Sequence, residues 1–147
     1  MATARTADSG FDAAVVDSEN QVVALVEVKV QPVERWATIL SRQLAKVADR
    51  VAFVIAIDPK SIQLYKPGEE SLGDPIVQLD TSQVLQYYDP GFPGKRVFEF
   101  YVLTLVEAWL RDLAYHWKSE KPPGSEELAK AGLLEKLEGG TTLRFGA

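Results

Sequence analysis

The chain has 147 residues, 46% hydrophobic and 25% charged, with a formal net charge of −5 and no cysteine, which suits one domain around one sizeable core and excludes disulfides and thiolate metal sites. The acidic balance argues against a dedicated duplex binder, which carries a basic surplus, yet a local basic groove or a bound divalent ion can sit within an acidic whole. No apolar run approaches the roughly 18 residues that span a bilayer, and Met1 to Thr6 has no apolar signal core, so a cytoplasmic protein without membrane attachment is expected.

Residues 1–10 are small and polar and read as a flexible leader, with 11–147 as a single domain. Phe11 to Asp17 and Val22 to Val30 are apolar, β-branched runs on either side of Ser18-Glu19-Asn20, the signature of a β-hairpin. The second run stays apolar until Glu27 and carries Lys29 two residues later, so both charged side chains project from one face of the strand. With Glu19-Asn20 as a two-residue loop, Ser18 pairs with Gln21 and Asp12 falls opposite Glu27 on that face. Opposed residues hold their Cβ atoms about 5 Å apart. Two carboxylates at that separation repel unless a proton or a divalent cation lies between them. A register slipped by one residue would carry Asp12 to the other face.

Asp12 followed by Glu27-Val28-Lys29 at the end of an apolar strand resembles the Asp…(Asp/Glu)-X-Lys signature of the PD-(D/E)XK nuclease superfamily, with Phe11 where that family usually has proline. The resemblance implies an α/β, restriction-endonuclease-like fold: a mixed sheet with flanking helices. It also implies metal-dependent hydrolysis of phosphodiesters in nucleic acid, DNA ahead of RNA. Mg²⁺ or Mn²⁺ would be held by Asp12, Glu27 and the carbonyl of Val28, with Lys29 positioning the attacking water. Family members usually begin with a helix that often contributes one more acid; here only about ten residues precede the first strand, and Asp8 is the only acid among them.

Pro32 ends the second strand. Trp36, Ile39, Leu40, Leu44 and Val47 recur at helical spacing and predict a helix over Glu34 to Ala48. Gln43 lies within that apolar stripe, either as a core amide satisfied by backbone or as a polar group aimed at the site. The family often carries a glutamine on this helix, which implies a catalytic place for Gln43. Val51 to Ile57 is continuously apolar, as in a strand buried on both faces, and the intervening helix makes a βαβ-like unit with a partly parallel sheet. Ser61 to Lys66 alternates and reads as a further, more exposed strand. This order of elements over residues 11–66 is similar to that nuclease core, including the N-terminal domains of type I restriction motor subunits and short stand-alone bacterial proteins. Residues 67–147 would form a helical extension packed on the core or on a partner.

Glu69 to Pro75 reads as a polar loop, Asp80-Thr81-Ser82 as the N-cap of a short helix over Gln83 to Tyr88, and Asp89 to Gly94 as a turn-rich break. Lys95 to Lys118 reads as one long, aromatic-rich helix, apolar on most sides. Such a helix must be buried on most sides, either by the sheet and the last helix or by a second copy of the chain. A homodimer through Lys95–Lys118, broken by a charge at Trp109, is the expectation on the second reading. His116 ends this helix and reads as a helix-terminal partner. Leu128 to Leu137 predicts a last helix and Thr141 to Phe145 a closing strand. The alternative to catalysis is an ordinary Glu–Lys pair with Asp12 capping the hairpin, in a silent domain that serves as a dimeric interaction module.

Overall fold

The computed structural model describes residues 10–47, 50–68, 72–92 and 98–145; the leader and Asp8, and the expected helix ends at Ala48 and at Lys95, lie outside them. Among the described residues the chain is mixed α/β, with six strands and five helices. The strands are β1 (Ala13–Val16), β2 (Val22–Val28), β3 (Phe53–Ile57), β4 (Ser61–Tyr65), β5 (Val77–Asp80) and β6 (Thr141–Arg144). They form one sheet in the order β5-β4-β3-β2-β1-β6. Only β2 and β3 run parallel; every other neighbouring pair is antiparallel. The crossover between the parallel strands is α1 (Trp36–Leu44), as the βαβ reading requires.

The sheet is covered on both faces. Trp36 and Leu40 of α1 pack with Ala14, Leu25, Val54 and Tyr65 on one side. The other side carries α2 (Thr81–Leu85), α3 (Glu99–Tyr115), α4 (Ser125–Lys130) and α5 (Leu133–Leu137). Their apolar residues meet Ala13, Val15, Val26, Phe53 and Ile55 in the larger core. This double coverage is why β3 and all of β2 after Val22 are buried without alternation. No helix among the described residues is long and apolar enough to cross a membrane.

Several expectations are corrected. The hairpin loop is the three-residue Ser18-Glu19-Asn20, with Asn20 at φ 65° and Asp17 Oδ1 accepting from Glu19 N–H and Gln21 N–H, both at 2.9 Å. An asparagine tolerates that left-handed conformation. A bulge between Val15 and Val16 absorbs the extra residue, so Ala13 still pairs with Val26, the register the shorter loop would have produced. β4 is largely buried rather than exposed, because β5, a strand absent from the sequence reading, pairs along its outer edge. α1 is shorter at both ends than Glu34 to Ala48, and α2 starts at Thr81 under the Asp80 cap rather than at Gln83.

α3 buries ten of its residues, Trp109 among them at 1% exposure, and its long apolar circumference is met by the sheet, α2 and α5. A charge at Trp109 would therefore break the core, not a surface contact. The single helix expected over Leu128 to Leu137 is two, broken at Gly132, whose φ of 88° no helical residue adopts.

Candidate active site

The acids of the hairpin meet where β2 ends. Asp12 stands just before β1 and is fixed on three sides: its N–H donates to Val26 O (3.0 Å), its carbonyl accepts from Phe145 N–H (2.9 Å), and its Oδ2 accepts from Val28 N–H (2.8 Å). The first and last of these bonds fold Asp12 over the end of β2 beyond the regular ladder. There its carboxyl reaches that of Glu27.

Glu27 is only 2% exposed, an unusual place for a carboxylate unless it is paired or bound. Its Oε2 accepts from Gln43 Nε2 at 3.1 Å and forms an ion pair with Lys29 Nζ at 3.0 Å. Its Oε1 is buried and has no hydrogen-bond partner. Across the parallel ladder Glu27 faces Ala56, a small residue that leaves the carboxylate room. Lys29 is anchored through its N–H to Ile57 O at 2.8 Å, while its side chain remains 43% exposed.

Sequence reasoning thus brought Asp12, Glu27, Lys29 and Gln43 to one place, and the structure gathers all four. Gln43 satisfies part of each reading offered for it. Its Nε2 donates to the backbone carbonyl of Gly10 at 3.2 Å and to Glu27, tying the entry of β1 to the buried acid. With its N–H groups engaged there, Gln43 steadies Glu27 and has none directed at a phosphate oxygen. Val28 contributes its N–H to Asp12 from within the same strand end.

One site residue escaped the sequence reading. Glu99, in the first turn of α3, reaches the site from the opposite helical layer, and its carboxyl hydrogen-bonds that of Asp12. Two carboxyls can share such a bond only by sharing a proton, and this pairing, followed by burial, raises the Glu99 pKa above its ordinary value. Burial also raises Asp12, with Glu27 adding to it, against the Val28 N–H bond and the Glu99 carboxyl, which favour its charge. Burial opposes the charge on Lys29, but Glu27, Asp12 and Glu99 together outweigh it and hold the ammonium above its ordinary pKa. The available signal was an acid in a helical first turn, hidden between Phe98 and Phe100 in a run read for its apolar stripe.

The donor set fits a hard divalent cation, which takes carboxylate and carbonyl oxygens. A buried carboxylate oxygen without a donor is costly as it stands, and a cation at Glu27 Oε1 would satisfy it. Among the described residues no three His, Cys, Asp or Glu side chains are grouped tightly enough to hold a metal ion by themselves, so two carboxylates would need backbone, water or substrate oxygens beside them.

His116 takes a left-handed C-cap conformation at φ 54° and contacts Ser119 O through Nδ1 at 3.1 Å, closing α3 as a helix-terminal residue. Asp58, Glu107 and Asp112 are the other buried acids among the described residues; Glu107 pairs with Arg144, and the two aspartates are filled by donors from their own surroundings. Compared with models of protein families, with curated proteins and with solved structures, the chain has no significant match in any of the three.

Proposed function

We propose that the chain hydrolyses phosphodiester bonds of nucleic acid with the help of Mg²⁺ or Mn²⁺, at a site of the PD-(D/E)XK type on a restriction-endonuclease-like core. The observation that carries this reading is the meeting of Asp12, buried Glu27 and Lys29 at the end of β2, with one oxygen of Glu27 lacking a donor. The antiparallel hairpin followed by a parallel crossover strand supports the same core.

Asp12, Glu27 and the Val28 carbonyl would hold the ion, and Gln43 keeps Glu27 in place. When bound, the ion would polarise a phosphate oxygen and make water more acidic. Lys29, half in solvent and fully charged, reaches outward from Glu27 to hydrogen-bond the attacking water and a non-bridging phosphate oxygen, offsetting charge as it builds on phosphorus. Plasmid and single-stranded substrates incubated with Mn²⁺ test this directly. Cleavage by the wild type, lost in Glu27→Ala and in Lys29→Ala with folding retained, is the expected result. Wild-type protein that neither cleaves nor binds Mn²⁺ at millimolar concentration refutes it.

A second reading is a silent domain that dimerises through α3. It draws on the exposed aromatics of that region, Phe100 at 71%, Tyr115 at 49% and Trp117 at 51%. A concentration-dependent dimer abolished by Phe100→Glu, without any metal response, is its signature.

A further inference from the structure

The site described above formally contains three acids and one base: Asp12, Glu27 and Glu99 around Lys29. Fully ionised, that leaves two negative charges uncompensated, as many as one divalent ion carries. Glu99 is the residue that makes the deficit two rather than one. It arrives from α3, on the face of the sheet away from α1 and Gln43, so the acids converge from both layers onto the strand end.

The three do not form one ligand triangle. Asp12 interacts with each of the other two, Glu27 and Glu99. A separate observation points to a ligand here: Glu27, 2% exposed, holds an oxygen with no donor in the same cluster.

We infer that Glu99 is a positioning residue for a divalent-cation site, bracing Asp12 and supplying the second uncompensated charge without itself binding the ion. This rests on the metal-dependent reading proposed above and assigns α3 a part in it. An outer carboxylate that orients a ligand group typically changes metal affinity by about 10–100-fold when removed. Glu99 is itself exposed, so its effect runs through the contact with Asp12 rather than through a long-range field.

The test compares wild type, Glu99→Gln and Glu99→Asp by Mn²⁺ calorimetry and by melting in EDTA and in Mn²⁺. Glu99→Gln should bind Mn²⁺ at least tenfold more weakly, show a smaller Mn²⁺-induced rise in Tm, and melt no lower than wild type in EDTA, since its amide can donate to the Asp12 carboxylate without needing the proton that the two carboxyls share. Glu99→Asp should recover part of the affinity. A merely structural Glu99 would instead lower Tm equally in both conditions and leave the affinity unchanged. Wild-type affinity in Glu99→Gln overturns this inference while leaving the metal-dependent reading intact. Absence of binding by the wild type overturns both.

Discussion

Replacing Asp58 by asparagine should unfold the protein more readily than its near-identical shape suggests. Asp58 lies just past β3, is buried, and accepts four N–H groups: Val33 (2.9 Å) and Trp36 Nε1 (3.1 Å) at Oδ2, Lys60 (2.8 Å) and Ser61 (3.0 Å) at Oδ1. Its own carbonyl accepts from Thr81 Oγ1 at 2.7 Å. This one side chain therefore fastens the start of α1 to the β3–β4 turn. An asparagine has only one acceptor oxygen, so its NH₂ must point at two N–H donors that cannot turn round to accept. Each buried donor left without a partner costs about 1–3 kcal/mol. Water can relieve part of this at Lys60 and Val33, which leaves about 2–4 kcal/mol. For a domain of this size that lowers Tm by about 10 °C. Thermal melts and urea titrations of wild type, Asp58→Asn and the solvent-side control Lys60→Ala measure it. Asp58→Asn melting within about 1 kcal/mol of wild type would refute the argument that donor orientation, rather than shape, sets the cost.

Asp112 provides the contrast: two of its four donors are the hydroxyls of Tyr88 and Ser119, which can rotate to accept from an amide, so Asp112→Asn should cost less than about 1 kcal/mol at neutral pH. Despite its burial, those donors hold the Asp112 carboxyl below its ordinary pKa of 3.8; its contribution is present above that value and lost as pH falls through the folded value, so the wild type should lose ground to Asp112→Asn in acid melts. The sign reverses at Asp12, whose pKa is raised: its folded-state benefit exists at low pH and disappears as pH rises through the folded value. Asp12→Asn, whose amide oxygen can still accept from Val28 N–H, should melt roughly 1 kcal/mol higher than wild type in EDTA at pH 7, lose that advantage on acidification, and gain little from Mn²⁺. A lower Tm in EDTA would show that the Asp12 charge is not strained. Gly140→Ala should destabilise by at least about 2 kcal/mol in urea titration, since a Cβ there would stand 2.1 Å from Val16 O and 2.9 Å from Leu137 O.

Much of the hairpin and the gathering of its charged side chains could be read from residue order alone. Continuous β-branched runs disclosed β2 and β3, and charges interrupting one of them marked where Asp12, Glu27 and Lys29 gather. The register came through even though the loop was read one residue short, because the burial of Ala13, Val15 and Val26 on one face fixes the pairing more firmly than turn geometry does. β5 went unseen because Val77-Gln78-Leu79-Asp80 is a four-residue, half-exposed edge whose pairing with β4 is a tertiary event. Glu99 went unseen because proximity to Asp12 is created by the packing of α3 across the sheet, and nothing local to Phe98-Glu99-Phe100 records it. The break at Gly132 was legible in principle, but the flanking leucines outweighed one glycine in a helical window.

The partner that β6 provides for β1 has a consequence for how the molecule comes into being. Ala13 and Arg144 lie side by side in the sheet yet 131 positions apart along the chain, a separation that makes their encounter slow. Until Thr141 to Phe145 are synthesised and docked, β1 is a raw edge open to other strands, and Asp12 lacks the Phe145 N–H that holds its backbone. Newly made or C-terminally clipped chains should therefore be both sticky and unable to organise their acids, and the acid cluster becomes the last part of the protein to take shape.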